Sequence, residues 1–142
     1  MSRTPRPGDI FYVTDVSLSL PPEDDREVHA SRRPCLILSC EEKNSQPGWP
    51  ILLIAPISSS TNRRTQYCVK LGAGEGNLPR KCWVRVPAVQ PLAKDDISDY
   101  LGSISQARLE EVQAGLMMYM GIDLASTEEE LGSAGITFDP SL

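Results

Sequence analysis

The chain has one histidine, no C-x-x-C pair and no apolar run near the ~20 residues that a membrane helix requires. A structural zinc site needs clustered thiolates and imidazoles, so His29 and four scattered cysteines argue against one. Cys35, Cys40, Cys68 and Cys82 read instead as buried or half-buried thiols. Cys35 and Cys40, five apart in a strand-like run, are expected on opposite faces. The segment Met1 to Pro7 carries basic residues with no apolar stretch behind them, so it does not read as a signal peptide. The expected compartment is the cytoplasm, with no membrane partner. Also missing are a Gly-rich phosphate loop, a G-x-S-x-G elbow, an H-E-x-x-H pair and an EF-hand loop. No metal site and no cofactor are expected.

What is present fits one soluble domain. The 142 residues are 40% hydrophobic and 23% charged, enough to build a single core. The net charge of −5 conceals a segregation. Residues 26–94 hold eleven Lys or Arg against four acids, while the remainder holds three basic residues against fifteen acids. Binding responds to local potential within a Debye length of ~8–10 Å, so the central segment is suited to an anionic partner despite the total.

Along the chain, residues 9–15 read as a strand with Ile10, Tyr12 and Val13 supplying its buried face. A long polar stretch follows from Ser17 to Arg33, of a length usually reserved for functional or mobile loops. Residues 34–40 and 50–57 are continuous apolar runs, which argue for strands buried on both faces. Residues 41–48 read as a polar turn, and residues 58–62 as a hydroxyl-rich loop. Further strands are expected over 66–71, 82–90 and 100–104, separated by a loop at 72–77 with several positive-φ candidates. One helix is convincing: Ser105 as N-cap, Leu109, Val112, Leu116 and Met120 on one stripe, and Gly121 as its stop. Met117, Met118 and Met120 suit packing or an interface. Short strands with one terminal helix predict a mainly β fold, a small open antiparallel barrel with a C-terminal helix packed against it. The domain is expected to span residues 1–125. Residues 126–142 form an acidic tail that lacks any basic residue, with a Ser-x-x-Glu box at Ser126.

Four segments stand in a recognisable order: Gly8-Asp9-Ile10-Phe11-Tyr12-Val13, Arg32-Arg33-Pro34-Cys35-Leu36-Ile37-Leu38-Ser39, Ala55-Pro56-Ile57-Ser58-Ser59, and Ile104 to Leu109. In turn they resemble the opening strand, the R-P strand, the A-P-I-T strand end and the helix entry of the PemK/MazF toxin family. The resemblance covers about residues 7–122 and implies a dimeric, SH3-like barrel endoribonuclease from a toxin–antitoxin pair. The implied reaction is attack of a ribose 2′-OH on its own phosphodiester in single-stranded RNA such as mRNA, leaving a cyclic phosphate and a 5′-OH. The implied partners are that RNA, a cognate antitoxin and a second copy of the chain.

Carried over residue by residue, the catalytic pair falls on Arg33 and Ser58. Arginine offers a planar fork to phosphate oxygens, and serine a hydroxyl donor in place of the family's threonine. Glu27 corresponds loosely to the family's loop glutamate. Val84-Arg85 matches the start of a V-R-x-D-Q-P-R strand, but Pro87 and Ala88 replace the carboxylate and amide, and Gln90 stands where an arginine is usual. His29 is the one side chain whose ordinary pKa suits proton transfer near neutrality. The expected catalytic set is therefore Arg33, Ser58, His29 and Arg85. Arg32, Glu27, Ser59, Arg63, Arg64, Lys81 and Gln90 are expected to hold RNA. Blander assignments compete: Arg33 in a structural ion pair, Ser58 capping a turn, His29 and Arg85 solvated. Two other functions fit the same barrel, an impaired member that binds RNA or protein, and a gyrase-binding toxin of the CcdB kind.

Overall fold

The computed structural model describes residues 3–19, 32–61 and 64–123. Seven strands and two helices follow in order: β1 (Asp9–Thr14), β2 (Arg32–Ile37), α1 (Glu41–Asn44), β3 (Ile51–Ser58), β4 (Val69–Leu71), β5 (Cys82–Val84), β6 (Gln90–Ala93), β7 (Ile97–Ser103) and α2 (Gln106–Tyr119). Every pairing is antiparallel, in the order β4-β5-β3-β2-β1-β7, with β6 joining β3 on the edge that β5 also uses. The sheet stays open, as the spacing of short strands and turns predicts.

The apolar runs are buried on both faces because side chains alternate across the sheet. Ile10, Leu36, Ala55, Ile57 and Val84 fill one core, which Val112 of α2 completes. Phe11, Val13, Cys35, Ile37, Leu52 and Ile54 fill a second on the opposite face. Each fully buried aliphatic side chain contributes about 1.5–3 kcal/mol to this packing. Phe11 rather than Tyr12 belongs to the buried set; Tyr12 is half-buried.

Several expected boundaries move. β2 stops at Ile37 rather than Cys40, because the Ser39 hydroxyl takes the next ladder donor, Leu53 N–H, at 3.0 Å. Cys40 instead precedes the one-turn helix α1 and is exposed, unlike the expected half-buried thiol. The strand expected over 66–71 shrinks to β4, and the one expected over 100–104 lengthens into β7. The expected strand over 82–90 is broken. Arg85 N–H donates to Pro56 O at 2.8 Å, but Pro56 has no N–H to return. The ladder ends there, Arg85 leaves the strand region (φ −88°, ψ 80°), and a 3-10 turn over Val86–Ala88 leads into β6.

The helix forms as its signals indicate. Ser105 Oγ accepts Arg108 N–H at 3.2 Å, Leu109 and Val112 are buried, and Leu116 packs on the first core. Gly121 takes a positive φ of 87° at the stop. Met120 departs from the stripe that Leu109 and Val112 bury: it is 60% exposed. The loop after β4 docks on β7 at a close approach, where a Cβ on Gly102 would collide with the Gly76 carbonyl. Among the described residues no helix is long and apolar enough to cross a membrane. The acidic tail, including its Ser126 box, lies outside the described residues.

Candidate active site

Arg33 enters the site from β2, where Pro34 restricts the preceding residue to extended backbone. It pairs with Val13 of β1. The β2–β3 register runs Cys35 to Pro56, Leu36 to Ala55 and Ile37 to Ile54. Carried on by one pleat, it sets Arg33 opposite Ser58. Directly opposed residues share a face, so the guanidinium and the hydroxyl rise from the same side of the sheet. Both residues are half-buried.

On the other side of β3, Ser58 pairs with Trp83 of β5, and Trp83 with Lys70 of β4. A single row therefore crosses the sheet: Val13, Arg33, Ser58, Trp83, Lys70. Arg85 joins this face beside Pro56, held by its N–H bond to the Pro56 carbonyl. Arg85 is 9% exposed. Arg64 and Lys81 lie over the Trp83 ring, each with its cationic centre 5.5 Å from the centroid. That is within cation–π range. The row offers a hydroxyl and several cations to an anion, with no acid among its members.

Ser58 Oγ also accepts Ser60 N–H at 3.1 Å, so the turn-capping role is real. An accepting hydroxyl keeps its own hydrogen to donate, so capping and phosphate contact are compatible. Ser59 is exposed on the bend after β3.

Two residues expected to hold RNA are engaged elsewhere. Arg32 alternates to the other face, stacks 3.9 Å from the Tyr12 centroid and pairs with Asp99 at 2.9 Å. Gln90 spends its amide on the backbone: Ser19 N–H donates to Oε1 at 2.8 Å, and Nε2 donates to the carbonyls of Ser19 and Ala88, each at 3.0 Å. Glu27, His29 and Arg63 lie outside the described residues. Trp83 and Lys70 were not among the expected site residues. Their one sequence signal is strand alternation, which puts Trp83 and Arg85 on one face and Cys82, Val84 and Val86 on the other.

Away from the row, Asp9 closes the opposite end of β1 and is 2% exposed. It accepts from Arg3 Nε at 2.9 Å, Arg6 N at 3.0 Å and Ser103 Oγ at 2.7 Å. Burial pushes its carboxyl up, but the hydrogen bonds from Arg3, Ser103 and Arg6 and the Arg3 charge together hold it below the ordinary carboxylate range. Arg108 of α2 ties to Glu75 at 2.8 Å and lowers that carboxyl in turn. Among the described residues, no three of His, Cys, Asp and Glu gather as a metal site.

The model of the PemK-like, MazF-like toxins of type II toxin–antitoxin systems matches residues 6–120. Among solved structures, an endoribonuclease from a Mycobacterial species in complex with its cognate antitoxin is 17% identical, with TM-score 0.61 over 86% of this chain and 98% of that one. MazF from Deinococcus radiodurans is 20% identical, with TM-score 0.65 over 85% and 100%. The Mycobacterium tuberculosis toxin MazF-mt6 is 22% identical, with TM-score 0.57 over 66% and 90%. These likenesses establish the fold. No curated protein matches the chain. With the open sheet, the Arg33–Ser58 face and a family match over residues 6–120, this chain belongs to the PemK-like, MazF-like toxins of type II toxin–antitoxin systems.

Proposed function

We propose that the chain is a metal-independent endoribonuclease that cuts single-stranded RNA, acting in the cytoplasm as a homodimer and silenced by a cognate antitoxin. The observation that carries this reading is the placement of Arg33 and Ser58 on one face of neighbouring strands, with Arg85 beside them. In the proposed step the 2′-oxygen loses its proton to a base and bonds to phosphorus. The bond from phosphorus to the 5′-oxygen breaks, and that oxygen takes up a proton. The products are a 2′,3′-cyclic phosphate and a 5′-OH.

Arg33 stabilises the phosphorane charge through its fork, and Ser58 donates to a non-bridging oxygen. Arginine stays protonated in proteins, so it does not serve as the base. The reading assigns that role to His29, the one imidazole of the sequence. Incubating the purified protein with mixed RNA in excess EDTA and mapping the ends tests the proposal. Cyclic-phosphate ends with wild-type protein and none with Arg33→Ala support it. Cleavage of an all-deoxy strand would overturn the mechanism.

A second reading has its own observation. The segment that resembles the V-R-x-D-Q-P-R strand holds Pro87 and Ala88 at the acid and amide positions, and here it folds as a 3-10 turn rather than a strand. A barrel that binds RNA or protein without cutting would fit this. The same assay separates the two, since such a barrel retards RNA and releases no ends.

A further inference from the structure

Beyond the reacting centre, we propose that Lys70, Lys81 and Arg64, gathered around Trp83, form a track for non-scissile phosphates of the same RNA strand. This rests on the ribonuclease reading above. The pairings Ser58 to Trp83 and Trp83 to Lys70 continue the Arg33 row across β5 and β4. Neighbouring strands are ~4.8 Å apart, so Lys70 stands about 14 Å from Arg33, three strand steps away. An anion held there is a phosphate other than the one being cut.

Trp83 explains why the cations stay there. The indole is 6% exposed, so it is covered and is no platform for stacking a base. Arg64 and Lys81 lie over its ring face, each 5.5 Å from the centroid. Cation–π attraction steadies two otherwise mobile side chains above the sheet while their charges still face solvent.

Charge pairing separates this cluster from four arginines of the molecule, and its place in line with Ser58 separates it from Lys43, which lies over Trp49. Arg3 is neutralised by Asp9, Arg6 by Glu41, Arg32 by Asp99 and Arg108 by Glu75. Among the described residues, no carboxylate lies within ion-pair distance of Lys70, Lys81 or Arg64. A concentration of unpaired cations in line with a phosphodiester centre is what an extended polyanion requires. An acidic polypeptide is the alternative occupant, but continuity with Arg33 and Ser58 favours the nucleic acid.

The test uses an RNA oligonucleotide that is 2′-O-methylated throughout and so resists cutting, with binding followed by anisotropy across a salt series. Lys70→Glu/Lys81→Glu in the full chain should weaken binding on the order of tenfold to a hundredfold near 100 mM salt. It should also flatten the slope of log affinity against log salt by about 0.7 for each phosphate that is no longer neutralised. Lys43→Glu, set against Lys70→Glu and Lys81→Glu each taken singly, is the net-charge control; Lys43 sits over Trp49 beyond the far end of β3 and should leave the slope unchanged. Thermal melts confirm that each variant folds.

Wild-type affinity and slope in the double variant would overturn the track and leave the cleavage reading standing if wild-type protein still cuts unmodified RNA. An equal weakening in Lys43→Glu would overturn it as a bulk charge effect. Loss of binding to a labelled polyglutamate peptide, followed by the same anisotropy, with RNA binding intact would reassign the cluster to a protein partner. Wild-type protein that neither binds nor cuts RNA would overturn both proposals.

Discussion

Gln90 of β6 closes its side-chain amide on the backbone of Ser19, accepting from Ser19 N–H at 2.8 Å and donating to Ser19 O at 3.0 Å. These paired bonds join residues 71 apart in sequence and fix the chain as it leaves β1. Gln90→Ala should lower stability by about 0.5–1.5 kcal/mol, the net worth of such bonds, because the exposed Ser19 groups then turn to water. Hydrogen exchange at the Ser19 amide should accelerate. Urea melts and exchange matching wild type would show that the clamp holds nothing.

Ser58 carries two roles that substitutions can separate. Ser58→Thr keeps the hydroxyl and should leave RNA cleavage within a few-fold of wild type, while Ser58→Ala should cost on the order of 10- to 1000-fold, as for one positioned donor. The turn that Ser58 caps through Ser60 should weaken in the alanine variant alone. Initial rates with a defined RNA, alongside thermal melts, check both effects. Equal rates in both variants would remove Ser58 from the chemistry.

Asp9 makes stability depend on acid. Its folded-state pKa lies below the ordinary value, so the ionised form is favoured by folding. The contribution is complete above the unfolded carboxylate range near pH 4 and is lost as the pH falls through the lower folded value. Asp9→Asn should flatten that acid limb and lower stability at pH 7 by about 1–3 kcal/mol. Chemical melts from pH 3 to 7 check the sign. A variant that loses stability equally at every pH would show that the charge of Asp9 is immaterial.

The thiols should sort by exposure. Cys40 is exposed and should react first with a thiol reagent in the native protein, whereas Cys35 and Cys82 are buried. Burial also pushes the Cys82 thiol upward, against the Arg80 charge, which reduces its thiolate further. Mass mapping after brief alkylation should find Cys40 modified and the buried pair intact. Early modification of Cys82 would contradict its place in the first core.

Much of this molecule follows from local pattern. The two-sided burial of β2 and β3 was legible because continuous apolar runs leave no polar face to turn to water. The start of α2 was legible because Ser105 and the stripe at Leu109 and Val112 are neighbours in sequence. Arg33 and Ser58 were paired at the sequence level only through the resemblance to the PemK/MazF family, whose motif positions they occupy.

Other features depend on residues that only folding brings together. The break at Arg85 is set by Pro56, a proline on another strand that cannot return a ladder bond. Gln90 reads as a free polar side chain until Ser19 meets it, and Arg32 reads like Arg33 until alternation turns it toward Tyr12 and Asp99. The gathering of Lys70, Lys81 and Arg64 around Trp83 rests on the β4–β5 register. Sequence by itself determined where the apolar, strand-forming runs lie and which side chains bear charge, because both are properties of short stretches. Only the tertiary structure decided which charges are neutralised and which stand in line with Ser58, because register and pairing are long-range.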